Sequence, residues 1–230
     1  MKKLLLLALI ALCIGIIIPQ KLYAVDITVG ATTWYAWWDI DAGQESLDVD
    51  PTFLYGPALS VKFNNDFNLT FIYLYGKYDV TFDKGKDTVK RTDSDIALNY
   101  RLNDYFKLFA GMKYMGFEQD YKQNAIGPGL GLSATVPVME NFFLLGTLSG
   151  FHLWGKGKHG ENNGTISSNY KEYGFNSTLS LAYYIAPAST TVSLGGRYQY
   201  FKTNDDSSNG NNFTSKIYGA TLTATYTFSI

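Results

Sequence analysis

The chain has 230 residues, of which 19 are basic and 20 acidic, so its formal net charge is −1. That balance excludes the strongly basic surface by which many proteins bind nucleic acid. A single cysteine, Cys13, excludes a framework of disulfide bonds.

The N-terminal segment has the three parts of a secretion signal. Met1-Lys2-Lys3 supplies positive charge, residues 4–18 form an uncharged apolar run, and Pro19 precedes the small residue Ala24. We therefore expect residues 1–24 to be a cleaved signal peptide and residues 25–230 to form one domain. An uncleaved membrane anchor is disfavoured, because about 20 apolar residues are needed to span a bilayer. Cleavage would leave 16 basic and 20 acidic residues, a net charge of −4.

Period-two alternation dominates the rest of the chain, and residues 94–117 show it clearly. Ile96, Leu98 and Tyr100 alternate with polar residues such as Asn99, which indicates strands with one apolar face. Strands of soluble sandwiches usually have about five or six residues, whereas a tilted membrane-spanning strand needs about 9–11. Most segments here reach the longer value, which favours a barrel. We predict ten strands: 26–38, 51–63, 67–80, 91–102, 106–118, 127–138, 142–154, 172–185, 190–202 and 215–230.

The connections between these strands alternate in length. Tight links occupy 64–66, 103–104, 139–141 and 186–189, whereas longer polar links occupy 39–50, 81–90, 119–126, 155–171 and 203–214. Alternating short and long connections are typical of membrane barrels with short periplasmic turns and longer extracellular loops. The sequence therefore predicts an all-β fold, a ten-stranded antiparallel transmembrane β-barrel with five longer extracellular loops.

Aromatic residues fall at the ends of the predicted strands. Such positions are typical of the two interfacial girdles of a membrane barrel, where an amphipathic ring is favoured. Near the short turns these are Phe63, Phe67, Tyr100, Phe106, Tyr183 and Phe228, and towards the long loops they are Tyr35, Trp37, Tyr75, Tyr114, Tyr198 and Tyr200.

The last strand is the most regular. Tyr226, Phe228 and Ile230 continue an apolar row that begins at Tyr218, and small polar residues fill the other row. The chain resembles small bacterial outer-membrane β-barrel proteins, which typically end in such a strand with an aromatic residue near the terminus. Ile230 replaces the commoner terminal aromatic. The resemblance implies recognition by the outer-membrane assembly machinery and contact with outer-membrane lipid and lipopolysaccharide.

The alternation also predicts one register and a row of charges in the lumen. Directly opposed residues of an antiparallel pair point the same way, so Leu102 should pair with Phe106 across a turn at 103–105. Asp95 then faces Lys113 inside the barrel. A Lys or Arg facing lipid near the bilayer centre would cost about 2–4 kcal/mol, so charged residues of the strands are placed inside. The lumen is predicted to hold Lys62, Asp95, Asn99, Arg101, Lys113, Glu172 and Arg197, of which Asp95, Arg101, Lys113, Glu172 and Arg197 form a charge row that would act in selectivity or as a plug.

Strand 142–154 is ambiguous, because both of its rows contain apolar residues. Phe151 and Leu153 belong to the row that is more apolar over its predicted length. We therefore expect Gly146, Gly150 and His152 to face the lumen.

Two classes of barrel enzyme can be compared with the sequence. The ten-stranded omptin proteases use acidic pairs with an Asp-x-His element, but neither His152 nor His159 has an acid two residues before it. Asp93 and Asp95 could imitate an acidic pair, although Asp-Ser-Asp at a strand mouth is more typical of a solvated rim. Barrel lipid A deacylases use a His and a Ser on a membrane-facing surface, for which Ser149 and His152 are the nearest match. We predict no catalytic residue.

Cofactor and metal sites are also not predicted. The loop at 39–50 carries five carboxylates and no basic residue, and calcium takes clustered oxygen ligands, but Gly43 falls one place early for an EF-hand. Two interpretations of this loop therefore remain, a hydrated acidic loop and a calcium site. Gly127, Gly129 and Gly131 lead into an alternating strand rather than a helix, so we expect them to pack the lumen instead of binding a dinucleotide.

The sequence favours a non-enzymatic surface protein, whose loops contact the environment or an unidentified surface ligand while the barrel acts as their scaffold. Barrels of about eight strands fill their interior with side chains, and those of 16–18 strands hold water-filled channels. Ten strands with opposite charges inside indicate a cross-linked interior. The alternatives are a narrow channel for small solutes or ions and, after it, a membrane-embedded hydrolase.

Overall fold

The computed structural model describes residues 25–41, 48–82, 85–119, 121–161, 164–205 and 212–229. The predicted signal peptide lies outside them. The chain forms ten long strands, a two-residue strand and one short 3-10 helix, Ala186–Ala188. The strands are β1 (Asp26–Asp41), β2 (Asp48–Val49), β3 (Thr52–Lys62), β4 (Phe67–Phe82), β5 (Gly85–Arg101), β6 (Phe106–Glu118), β7 (Tyr121–Met139), β8 (Phe142–Glu161), β9 (Gly164–Ile185), β10 (Thr190–Asp205) and β11 (Phe213–Ser229).

The ten long strands close into a single antiparallel barrel. Each pairs with the next long strand in the chain, and β1 pairs with the last strand, β11, from Asp26 opposite Ser229 to Asp41 opposite Thr214. β2 adds a short pairing to β4 at the extracellular side. Closure removes every sheet edge, as a barrel in lipid requires. The predicted fold class is confirmed.

The strands extend further on the long-loop side than predicted. Residues 155–171, expected to be a loop, mostly belong to β8 and β9, which together form a tall hairpin. Residues 81–90 and 119–126 are also largely strand. Buried side chains continue the inward row past the predicted limits, as Val89 and Tyr170 show, so paired backbone continues with them.

The short turns are stabilised by asparagine side chains. Asn103 Oδ1 accepts hydrogen bonds from the amides of Tyr105 and Phe106, both at 2.9 Å. Asn64 Oδ1 does the same for Asp66 and Phe67 at 2.8 Å. These are Asx turns, for which asparagine is favoured. The Leu102 amide donates to the Phe106 carbonyl at 2.9 Å, which confirms the three-residue turn.

The outer surface is an apolar band between two belts of aromatic rings. Exposed leucines fill the band, among them Leu98, Leu132 and Leu148. At the short-turn end the ring centres of Phe67 and Tyr100 lie 5.0 Å apart. The same arrangement repeats at the opposite end, where the Tyr35 and Trp37 rings are 4.9 Å apart and Trp37 stacks with Tyr218 at 5.9 Å.

No helix in the described part of the chain is long and apolar enough to cross a membrane.

The facing predicted for strand 142–154 is wrong. In β8, Ser149 and Leu153 are buried inside the barrel, whereas Gly150 and His152 lie on the outer surface. Apolarity could not decide between the rows, because the outward row also carries large apolar residues such as Leu148 and Trp154. Apolar side chains of the inward row fill the lumen.

Candidate functional site

A cluster of ion pairs crosses the middle of the lumen, and its central group is Asp93 on β5. The Asp93 carboxylate accepts from Lys113 Nζ at 2.6 Å, from Arg91 Nη2 at 2.9 Å and from Arg197 Nη2 at 3.3 Å. Asp93 is 1% exposed, and Arg91 and Lys113 are fully buried. Three cations thus meet one carboxylate in a site that excludes water.

Asp95 completes this cluster one pleat nearer the periplasmic side. Its carboxylate accepts from Lys113 Nζ at 3.1 Å and from Arg197 Nη2 at 3.1 Å. The contact with Lys113 follows from the register, in which Asp95 and Lys113 are directly opposed, and this confirms the register prediction. We call Arg91, Asp93, Asp95, Lys113 and Arg197 the charged layer.

The charged layer joins opposite walls of the barrel. Arg91, Asp93 and Asp95 lie on β5, and Arg197 lies on β10, which is five strands away in either direction around the barrel. Neutral amides extend the network, since Arg91 Nη2 donates to Gln199 Oε1 at 3.0 Å and Arg197 Nε donates to Asn176 Oδ1 at 3.0 Å. Side chains therefore fill the full diameter of the lumen at this level.

Aromatic rings pack against each cation of the charged layer. Arg197 lies 4.7 Å from the centre of the Trp34 ring, Lys113 lies 5.5 Å from that of Phe151, and Arg91 lies 4.9 Å from that of Phe117. Cation–π contacts of desolvated groups are worth about 2 kcal/mol or more. The rings thus stabilise the cations and exclude water from the ion pairs.

Glycines on β7 make room for these rings. Gly127, Gly129 and Gly131 all face the lumen, and a Cβ at Gly129 would overlap the Phe151 ring. At Gly131 it would overlap the ring of Phe109. The expectation that this glycine run packs the lumen is confirmed.

Two cavities of the lumen lie on either side of the charged layer. The upper one, towards the extracellular ends of the strands, has a volume of about 290 Å³ and mainly apolar walls. The lower one measures about 320 Å³ and is lined largely by small polar residues such as Thr70, Asn99 and Thr178. A smaller cavity of about 200 Å³ lies at the periplasmic mouth, where Lys62 pairs with Asp26.

The predicted charge row divides between the lumen centre and the rim. Asp95, Lys113 and Arg197 meet in the charged layer, and Glu172 is buried above it, with one oxygen accepting from Thr203 Oγ1 at 3.1 Å. Arg101 lies instead at the periplasmic rim and forms an ion pair with Asp104 of the turn. It is too far along β5 to contribute to the central cluster, because strand residues advance about 3.3 Å each.

Sequence analysis missed Arg91 and Gln199 and misplaced Asp93. The interpretation of Asp93 as part of a solvated rim is wrong, because β5 begins at Gly85 rather than 91 and Asp93 lies well inside the barrel. The alternation of inward and outward residues along β5 was the signal that could have placed Arg91 and Asp93 in the lumen. Arg91 and Asp93 continue the inward row of Asp95 and Asn99.

Ser149 and His152, the pair compared with the lipid A deacylases, are not brought together. Ser149 is buried in the lumen, and its hydroxyl donates to the Asn176 carbonyl at 3.4 Å. His152 lies on the outer surface against the Trp154 ring, at 5.0 Å between ring centres. The wall of the barrel therefore separates the two. The side chain of His159 lies outside the described part of the molecule.

The acidic first loop is only partly described, since residues 42–47 lie outside the described ranges. Asp50 forms an ion pair with Lys86 of the neighbouring hairpin at 3.3 Å. Within the described residues, no group of three or more His, Cys, Asp or Glu side chains could hold a metal ion.

Comparison with known proteins supports the fold. No family model and no curated protein sequence matches the chain. The structure of the outer membrane protease OmpT from Escherichia coli is similar with a TM-score of 0.59 and 13% identity, over 91% of this chain and 99% of that one. The β domain of the Bordetella autotransporter BrkA has a TM-score of 0.49 at 11% identity, over 90% and 100% of the two chains. The outer membrane protein AlkL has a TM-score of 0.49 at 10% identity, over 92% and 95%.

At 13% identity the likeness to OmpT concerns the fold alone. The chain has the β-barrel fold of bacterial outer-membrane proteins.

Proposed function

We propose that this protein is an integral outer-membrane barrel that conducts no solute and serves as a scaffold for its extracellular hairpins. The observation that supports it best is the charged layer, which joins opposite strands of the barrel with buried ion pairs. In this proposal residues 1–24 direct export and are removed, and the assembly machinery recognises the last strand through Tyr226 and Phe228.

The outer surface supports the placement in a membrane. Its leucine-rich band, exposed on the free barrel, is the surface that lipid would cover, and the two aromatic belts match the bilayer interfaces. An apolar band of this extent in water would be a liability for aggregation. Lipid would cover the apolar band and so prevent aggregation, and no further partner is needed.

Outward-facing lysines lie above the outer aromatic belt and support contact with lipopolysaccharide. Lys77 is directly opposed to Lys90, and like charges in that position are destabilising unless anions balance them. Glu118 supplies one such anion, 3.9 Å from Lys90 Nζ. Phosphate groups of the outer leaflet would supply others, since lysine is a common phosphate ligand. The lysines that face outward at this height are Lys77, Lys90, Lys122, Lys156, Lys171, Lys202 and Lys216.

The length of the strands supports exposure of the hairpins. β8 has 20 residues and β9 has 22, whereas about 9–11 residues span a membrane. Roughly half of each strand therefore projects beyond the bilayer. Such a paired hairpin presents side chains to the medium above the bilayer, as a surface for an external ligand would require.

Planar-bilayer conductance tests the proposal. We expect no channel activity from the refolded protein lacking residues 1–24, because the charged layer fills the lumen. The variant Asp93→Ser/Arg197→Ser, which removes one group from each wall, should show discrete current steps. Folding is verified for both proteins by their heat-dependent mobility in SDS. Reproducible steps from the unaltered protein would refute the scaffold proposal.

The second candidate function is a narrow channel, which the cavities above and below the charged layer favour. The charged layer and the side chains packed against it separate the two cavities. Current steps from the unaltered protein that change ion selectivity in Asp95→Asn would support the channel.

A further inference from the structure

The upper cavity has a different chemical character from the rest of the lumen. Aromatic and aliphatic side chains form its walls, among them Trp38, Val80, Val89, Phe117 and Phe201. Its volume of about 290 Å³ is just below the range for small-molecule sites, which is about 300–1,000 Å³. Apolar walls with a few convergent polar groups are the usual composition of such a site.

The polar residues that line this cavity are Arg91, Gln119, Gln123, Glu172 and Ser215. Of these, Arg91 and Glu172 retain buried atoms without a partner in the protein. Arg91 uses only Nη2 in the charged layer, so Nε and Nη1 have no acceptor. Glu172 accepts from Thr203 through Oε1, and Oε2 has no donor. Arg91 is fully buried and Glu172 is 3% exposed. Buried polar atoms are nearly always hydrogen-bonded, so three such atoms around one cavity require an explanation.

A ligand that satisfies these atoms must both accept and donate a hydrogen bond. An acceptor is needed by the Arg91 guanidinium, and a donor by the Glu172 carboxylate. A carboxylate ligand would satisfy Arg91 but leave Glu172 Oε2 without a donor, and an ammonium ligand would satisfy Glu172 but leave the Arg91 nitrogens without an acceptor. A hydroxyl or a primary amide meets both requirements because each carries a donor and an acceptor. The apolar walls then call for an apolar body on the same molecule.

We propose that the upper cavity binds a small neutral amphipathic molecule, an alcohol or amide with an aromatic or aliphatic body. Its polar group would lie between Arg91 and Glu172, and its body would lie against the walls. This role goes beyond that of a surface scaffold, and it does not require the lumen to conduct. The charged layer would be the floor that stops the ligand from passing further.

Fluorine NMR with para-trifluoromethylbenzyl alcohol tests the proposal on the refolded barrel in detergent micelles. We expect a protein-dependent shift of the fluorine resonance that saturates with concentration. Val89→Phe places a ring in the cavity and should abolish the shift, and Val80→Phe serves the same purpose if Val89→Phe does not fold. Leu148→Phe is the matched control, because it enlarges a side chain on the lipid-facing surface. It should leave the shift unchanged.

The polar group is tested with para-trifluoromethylbenzoate. At alkaline pH, which keeps the Glu172 carboxyl ionised, we expect the unaltered protein to bind the alcohol at least about tenfold more tightly, because like charges at close range are strongly unfavourable. Glu172→Gln keeps the shape but removes the charge, so this preference should largely disappear. Heat-dependent mobility in SDS verifies that each variant is folded.

Three results would overturn the proposal. The first is the absence of a protein-dependent shift, which would mean that water alone fills the cavity. The second is a shift that persists in a folded Val89→Phe or Val80→Phe variant, which would place the probe elsewhere. The third is equal binding of the alcohol and the benzoate by the unaltered protein. Each is distinguishable from failure of the scaffold proposal, since that depends on conductance.

Discussion

The charged layer and the lower cavity belong to the same lumen but are held together differently. In the charged layer, Asp93 and Arg197 join strands on opposite walls. Around the lower cavity, polar side chains pair along the wall, as Thr147 and Thr178 do on the neighbouring strands β8 and β9 with 2.7 Å between their hydroxyls. In the charged layer, side chains therefore link opposite walls across the lumen. Around the lower cavity, side chains link only neighbouring strands of the same wall.

Because of this difference, removing one partner of a polar pair should destabilise the barrel to a different extent at the two levels. Arg91, Asp93 and Lys113 of the charged layer are buried, so loss of a partner leaves an uncompensated buried charge. A hydroxyl beside the lower cavity is neutral and only partly buried, so loss of its partner costs much less. The charged layer should thus control both the stability of the barrel and its permeability, whereas the lower wall should control neither strongly.

Asp93→Asn is expected to have the largest effect. It leaves Arg91, Lys113 and Arg197 buried around a neutral amide, and breaking a buried ion pair by removing one partner costs about 3–5 kcal/mol. The free energy of unfolding, measured by urea titration in phospholipid vesicles, should fall by that amount.

Glu140→Gln is the matched control for Asp93→Asn. It makes the same chemical change at an exposed position in a short turn, where substitutions usually change stability by about 0.5 kcal/mol or less. An equal loss of stability in the two variants would contradict the distinction between the charged layer and the rest of the barrel.

A smaller effect is expected from Gly129→Ala, which acts on the packing beneath the charged layer. The added methyl group would overlap the Phe151 ring, which itself packs against Lys113. Overpacking of this kind costs about 1–3 kcal/mol. The same urea titration measures the loss.

Gly150→Ala supplies the comparison for Gly129→Ala. Its new methyl group would face outward, and the nearest atom is the Gly174 carbonyl oxygen at 3.8 Å. We expect a change of about 0.5 kcal/mol or less. A similar loss at both glycines would mean that strand flexibility, and not space for Phe151, explains the effect.

The sequence predicted those parts of the site that depend on local rules. The turn at 103–105 fixes the register of its hairpin, because directly opposed residues must face the same side of the sheet. That register predicts Asp95 opposite Lys113, as observed. The central role of Asp93 could not be predicted in that way. Its partner Arg197 is 104 residues away, and no local pattern indicates a contact across the lumen.

The fold itself was predictable because lipid imposes one apolar face on every strand. Where that rule is weak, the prediction was wrong, as in β8. There the lumen is filled by Phe151 and Leu153, so the inward row is as apolar as the outward one. The upper limits of the strands were also missed, because no lipid constrains the residues beyond the bilayer.

The smallest effect is expected at the lower cavity and gives the sharpest test of the comparison. Thr147→Val removes one hydroxyl and leaves that of Thr178 without its partner, at a cost of about 1 kcal/mol in the free energy of unfolding. In the double variant Thr147→Val/Thr178→Val neither hydroxyl remains, so most of that loss should be recovered. The corresponding removal of Asp93 and Arg197 together should not recover stability, because Arg91 would remain buried without its carboxylate partner and Lys113 would keep only the partly exposed Asp95. Recovery in both double variants would show that the charged layer, like the lower wall, consists of independent neighbouring pairs.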